Sequence, residues 1–280
     1  MKEFPKHPSG YLYLAGMYQA KNIDYGDRFD KKHYDSLLSA ASTLAEEMQE
    51  DPETKAWGYF YEGSADAFRS YTASENGSLP TGFYYGISAG NLLAKCLDID
   101  STFVEAKNIL GAFYFWRSKL AWIPFISDRT EEGIQLILQA IQHPYEKHLA
   151  SHNLMLIFID EKRYADAEKY GLEMLKEYPD NRSFLWSLMT VYEQWNRKEK
   201  LLEVVNRLLQ STLQAPVTNR YTEATCRMKL ARYAVERKNY DEAKEECKKI
   251  IELKKFAGKT KGDLGKKIKQ AKTLLDEIEQ

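Results

Sequence analysis

The stretch from His148 to Asn181, HLASHNLMLIFIDEKRYADAEKYGLEMLKEYPDN, decides the fold. In its first half, Leu154, Met155 and Phe158 share one helical face, and the polar residues 161–163 then interrupt the apolar pattern. A second apolar stripe follows at helical spacing: Tyr164, Ala167, Gly171 and Met174. Pro179 ends that stripe, because proline cannot continue a helix. The stretch therefore predicts two helices joined by a short turn.

Copies of this two-helix unit recur along the chain. Leu188, Met189 and Tyr192 repeat the first-helix pattern 34 residues later. Two further copies of the pattern are Leu110-Gly111-Tyr114 and Leu230-Ala231-Ala234. The second helix recurs as well, since Tyr164-Ala165-Asp166-Ala167 corresponds to Tyr240-Asp241-Glu242-Ala243. A repeated unit of this length is typical of a stacked helical array.

The repeat resembles the tetratricopeptide repeat. That family places a small residue in each helix at the crossing, an aromatic residue before the second small residue, and a proline near the end. Tyr164, Ala167 and Pro179 follow this arrangement, and the match is good for the units His148–Asn181 and Ala224–Phe256. The chain is also similar to bacterial members of the class with no defined activity. The resemblance implies a protein-binding scaffold.

The N-terminal half follows the repeat loosely. Gly111 and Gly133 lie 22 residues apart, where the regular interval is 12, so about ten residues are inserted between the two helices. The apolar insertion at 118–127, SKLAWIPFIS, is predicted either to fold back as a plug or to form an interaction surface or dimer contact. Gly86, Gly90 and Ala94 form a stripe of small residues that predicts a close helix crossing.

The fold class predicted is all-α, a right-handed α-solenoid of about six antiparallel helix pairs with a C-terminal capping helix. Divergent repeats are assigned to 1–146, regular repeats to 147–256 and the capping helix to 257–280. The sequence has no long linker, so we predict one continuous array. The first pair is predicted at Tyr11–Asn22 and Lys31–Glu50.

Composition excludes several classes of protein. With 40 basic and 41 acidic residues, no nucleic-acid partner is expected, although lysines crowd the C-terminal tail. No segment approaches the roughly 20 apolar residues of a membrane span. The N-terminal stretch MKEFPKHPSGYLYLAG does not read as a secretory signal, and cytoplasmic and exported locations both stay open.

The sequence shows no catalytic or metal-binding signature either. Neither a phosphate-binding glycine loop nor a nucleophile elbow is present. His148 and His152 share a helical face, but the sequence shows no third ligand. Cys96, Cys226 and Cys247 have no paired spacing. We therefore predict no enzyme activity, no cofactor and no metal site.

The predicted binding surface follows the first helices, which line the concave side of such arrays. Its residues are Asn108, Phe115, Trp116, Trp122, Phe125, His152, Leu156, Trp186, Thr190, Glu193 and Arg232. The favoured function is a non-catalytic scaffold that binds a protein or peptide, with a possible homodimer through the insertion. The alternative is a small-molecule or lipid binder with an aromatic cavity in the N-terminal half.

Overall fold

A computed structural model describes residues 6–26, 30–258 and 262–279, and within these ranges the chain forms thirteen α-helices and no strand. The helices are α1 Pro8–Tyr25, α2 Lys31–Met48, α3 Lys55–Glu75, α4 Leu79–Ile99, α5 Val104–Ser118, α6 Thr130–Ala140, α7 Lys147–Asp160, α8 Tyr164–Glu177, α9 Arg182–Gln194, α10 Lys198–Gln214, α11 Arg220–Glu236, α12 Tyr240–Glu252 and α13 Leu264–Glu279. A 3-10 helix, Leu253–Phe256, follows α12. The all-α prediction is confirmed.

Successive helices pack against their neighbours in the chain, as expected for stacked helix pairs. Contacts join α3 to α4, α5 to α6, α9 to α10 and α11 to α12, and α10 continues to α11. An asparagine caps the beginning of α9 and of α11, each of which is the first helix of its pair. The side chain of Asn181 accepts from the amides of Ser183 and Phe184, at 3.1 and 3.3 Å, and Asn219 caps α11 in the same way. These caps satisfy amides that have no partner within the helix.

The helices divide into two compact units. Unit 1 contains the described residues up to Tyr18 together with Asp30–Ile157. Unit 2 contains the described residues from Gln19 to Gly26 together with those from Phe158 onward. The predicted domain boundaries at 146 and 256 rest on repeat regularity rather than on contacts, and they stay predictions.

Close helix approach in unit 1 depends on glycine. A Cβ atom built on Gly90 would lie 2.2 Å from the ring of Phe113, so the glycine stripe on α4 accommodates a side chain from α5. The core beside this contact contains Leu93, Cys96, Phe103 and Leu110. The stripe therefore marks a close contact, as predicted, and its partner is an aromatic ring.

The last pair of unit 2 is covered by α13. Leu264, Ile268 and Ala271 pack with Met228 and Ile250 in one buried cluster. Because this contact covers apolar side chains of α11 and α12, α13 has the capping position predicted for the C-terminal helix. Among the described residues, no helix is both long and apolar enough to cross a membrane.

Candidate partner-binding surfaces

Asn108 was predicted to lie on the binding surface, but the structure buries it fully in unit 1, where no partner can reach it. Its amide nitrogen donates to Glu146 Oε2 at 2.7 Å, and its carbonyl oxygen accepts from Asn153 Nδ2 at 2.9 Å. Burial is the main reason that the pKa of Glu146 is raised. The side chain of Asn108 therefore ties α5 to the start of α7, because a buried amide must satisfy its hydrogen-bonding groups internally.

Phe115 also belongs to the core and not to a binding surface, because its side chain is fully buried. The Lys119 ammonium lies 4.5 Å from the centre of its ring. The neighbouring Trp116 is 46% exposed and meets Phe115 edge-on at 4.9 Å between ring centres. Of this adjacent pair, only Trp116 is accessible to a partner.

The insertion presents its two largest aromatic side chains to solvent. Trp122 is 80% exposed and Phe125 is 101% exposed, so neither ring plugs a groove. Phe125 also has a φ of 70°, a backbone conformation that non-glycine residues rarely adopt. The hydroxyl of Ser118 donates to Tyr114 O and accepts from the Arg129 amide, both at 2.7 Å, which closes the base of the loop. The geometry corrects the plug interpretation and favours an interaction surface.

His152 and Leu156 lie on α7 within unit 1. Leu156 is exposed, whereas His152 is half-buried. Burial first, and the nearby His148 second, lower the pKa of His152 to about 4. His152 is therefore neutral at pH 7. Within the ranges that the structure describes, no group of three or more potential ligands is placed to hold a metal.

Trp186 and Thr190 lie one turn apart on α9 in unit 2, and both are half-buried. The Thr190 hydroxyl donates to Trp186 O at 3.2 Å. The ring of Trp186 lies 6.3 Å from that of Tyr221 on α11, centre to centre. The two first helices thus bring their aromatic side chains together.

Glu193 and Arg232 line the same cleft of about 230 Å³, with walls from α9, α10 and α11. Lys229 also lines it and forms an ion pair with Glu193. Burial lowers the pKa of Lys267 on α13, and the nearby positive charges of Lys229 and Arg232 lower it further. Lys198 and Glu236 line the cleft as well and form an ion pair. Four cationic side chains, with Lys267 beside the cleft, thus stand against two carboxylates, and this part of unit 2 favours an anionic ligand.

Sequence reasoning missed Tyr221, Lys229 and Lys267. The repeat register pairs Leu188 with Leu230, an offset of 42 residues, and so places the counterpart of Tyr221 at Pro179, outside a helix. The structure shows that α11 has 17 residues and α9 only 13. Tyr221 lies in the additional N-terminal turn of α11, which the repeat register does not include.

The cysteine thiols, which could act as nucleophiles, are buried, and several aromatic side chains pack against one another. Burial raises the pKa values of Cys96 and Cys226 to about 12, so their thiols are protonated and weakly nucleophilic at pH 7. The aromatic residues of α3 also pack on one another. Trp57 and Phe60 both contact Phe103, at 4.5 and 4.9 Å between ring centres. Phe60 and Phe103 belong to the packed core of unit 1.

No family model matches the chain, and no curated protein sequence matches it. Among solved structures, the crystal structure of the yeast Tom70 is similar, with a TM-score of 0.39 and 14% sequence identity. That match covers 96% of this chain, which spans 64% of the length of the Tom70 chain. A similarity of this size does not show a shared family or a shared function.

Proposed function

We propose that the protein is a non-catalytic scaffold of the tetratricopeptide-repeat type, which binds an extended segment of a partner protein along α9 and α11. The observation that carries this proposal is the cleft that Glu193, Lys229 and Arg232 line together. It joins residues from successive first helices, where arrays of helix pairs commonly bind their partners. The repeat pattern in the sequence supports the same function.

The chemistry of the cleft indicates which partner segments fit. Lys229 is paired with Glu193 and Lys198 with Glu236, so Arg232 and the nearby Lys267 supply the excess positive charge that favours acidic side chains. The half-buried Trp186 and its neighbour Tyr221 supply an apolar contact earlier along the same two helices. Aromatic and arginine side chains are common anchors of protein interfaces. A segment with acidic residues and one apolar residue matches this surface.

Affinity capture from the native cell, followed by quantitative mass spectrometry, tests the proposal. The test variant combines Trp186→Ala with Arg232→Glu. The matched control combines Tyr178→Ala with Lys176→Glu, which removes an exposed aromatic ring and reverses an exposed charge at the end of α8. We expect the partner to be retained by the wild type and the control and to fall at least about tenfold with the test variant.

Equal recovery by the test variant, with its helical circular-dichroism signal intact, contradicts the proposal. The Trp122 and Phe125 side chains of unit 1 offer a second surface, which we assign to self-association or to another contact of the same partner. Their exposure supports this assignment.

A further inference from the structure

The C-terminal end of α1 is part of unit 2 and contacts the beginnings of α9 and α11. Arg182, the first residue of α9, donates through Nε to Asp24 Oδ1 at 2.5 Å and through Nη2 to Asp24 Oδ2. This fork-shaped contact is the strongest geometry available to an arginine and a carboxylate. Residues 19–26 are therefore attached to the beginnings of the first helices of unit 2.

Asn219 completes the contact from the beginning of α11. Its side-chain nitrogen lies 3.3 Å from the backbone oxygens of both Ile23 and Asp24 and donates to them. Its side-chain oxygen accepts from the amides of Tyr221 and Thr222, at 3.2 and 3.1 Å. One amide group thus caps α11 and also satisfies the last carbonyls of α1, which have no partner within their own helix.

Unit 2 holds Arg182 in place with its own groups. Arg182 Nη1 donates to the backbone oxygen of Ser211 at 3.2 Å, and the Ser211 hydroxyl donates to Asp180 O at 2.8 Å. The guanidinium also lies 5.8 Å from the centre of the Tyr25 ring. These contacts orient the guanidinium toward the helix end that it binds.

The last turn of α1 contains an acidic residue that needs a positively charged partner. A carboxylate in the last turn of a helix is unfavourable, because the exposed carbonyls there carry partial negative charge. Asp24 occupies that position and is compensated by Arg182. Gly26 then leaves the helix with a φ of 70°, which glycine adopts without strain, and a Cβ atom there would lie 3.2 Å from Asn219 Oδ1.

We propose that Arg182 and Asn219 form a docking site for the C-terminal end of an acidic helix, which residues 22–26 of this chain fill from within. A partner helix with an acidic residue in its last turn then competes with this internal segment. The site lies at the beginnings of α9 and α11, close to Trp186 and Tyr221 of the proposed binding surface. The inference rests on the contacts of Arg182 and Asn219, which the proposed function does not use.

A labelled peptide tests the site in the full chain. The probe is a fluorescein-labelled peptide of residues 8–26 with an amidated C-terminus, and its binding is followed by fluorescence anisotropy. The chain variant Asp24→Arg places a positive charge against Arg182 and vacates the site. We expect the peptide to bind this variant at least about tenfold more tightly than the wild type, whose site is occupied.

Two controls assign the binding to the proposed site. Adding Arg182→Gln to the Asp24→Arg chain, or changing the peptide itself by Asp24→Asn, should return the affinity to the wild-type level or below. Equal binding by the wild type and the Asp24→Arg chain overturns the proposal. So does tight binding that survives Arg182→Gln.

Asn219→Asp provides an independent test if the Asp24→Arg chain does not fold. Aspartate keeps the acceptor that caps α11 but replaces the donor with a carboxylate that faces the carbonyls of Ile23 and Asp24. We expect hydrogen exchange at residues 22–26 to accelerate at least about tenfold, while the middle of α11 keeps its protection. Unchanged exchange at residues 22–26 contradicts the proposal.

Discussion

Gly111 of α5 and Gly133 of α6 lie against each other's backbone. A Cβ atom built on either glycine would lie 2.5 Å from the carbonyl oxygen of the other. The repeat pattern predicts this crossing, even though 22 residues rather than 12 separate the two glycines. The insertion lengthens the connection between the helices, and the two glycines still meet where α5 and α6 cross.

Gly111→Ala should destabilise the fold by about 2–4 kcal/mol, because the added methyl group meets a backbone oxygen that cannot move aside. Chemical denaturation followed by circular dichroism measures the change in the free energy of unfolding. Gly265→Ala is the control, since the nearest atom to its added methyl group is Asp263 Oδ1, at 3.4 Å. A neutral result for Gly111→Ala contradicts the crossing.

The insertion should tolerate loss of its exposed rings. Trp122→Ser combined with Phe125→Ser is expected to change the free energy of unfolding by less than about 1 kcal/mol, because both side chains already face solvent. Phe115→Ala removes a fully buried ring and should cost about 3–5 kcal/mol. Denaturation measures both effects, and a cost of several kcal/mol for the serine variant would restore the plug interpretation.

Sedimentation equilibrium of the same serine variant tests the second surface. If the rings mediate self-association, the wild type should form dimers at concentrations where the variant is monomeric. Identical association by both proteins excludes Trp122 and Phe125 from a homodimer contact.

A largely buried ion network in unit 2 should be costly to break. Arg227 donates to Glu223 at 3.0 Å and to Glu246 at 2.9 Å, and all three side chains are at most 12% exposed. Arg227→Met removes the cation that Glu223 and Glu246 share. Arg220 still pairs with Glu223 and Lys249 with Glu246, so we expect a loss of about 2–3 kcal/mol. The exposed pair Lys198–Glu236 is the comparison, and Lys198→Met should leave the free energy of unfolding close to that of the wild type. Similar losses from both substitutions contradict this assignment.

His152 should make the fold sensitive to acid. Its pKa is about 4 in the folded chain, lowered from 6.5 chiefly by burial, so the unfolded chain binds the additional proton as the pH falls through this window. Lowering the pH from 6.5 to 4 therefore favours unfolding, by up to about 3 kcal/mol. Denaturation of the wild type and of His152→Gln at several pH values measures this effect. The variant should lose less stability over the window, and parallel losses contradict the prediction.

Apolar periodicity and repeat spacing together predicted the helix pairs, and the resemblance to repeat arrays implied the capping helix. The first pair was predicted at Tyr11–Asn22 and Lys31–Glu50, close to the observed Pro8–Tyr25 and Lys31–Met48. Period and small residues carry this information, because they decide which faces two helices bury against each other.

The binding surface could be predicted only in part. Glu193 and Arg232 do line one cleft, but Asn108 and Phe115 are buried. Periodicity shows that a residue faces inward, and it does not distinguish an open groove from a packed core. The attachment of Asp24 to Arg182 spans 158 positions and has no local signature in the sequence.

Photo-crosslinking in the native cell measures directly whether partners bind along α9 and α11. A photoreactive phenylalanine is placed at Trp186 in one chain and at Tyr178, at the end of α8, in another. Crosslinked products are then compared by mass spectrometry. We expect a partner to be captured from position 186 and not from position 178. Capture from position 178 alone, or the same products from both positions, would contradict binding along α9 and α11.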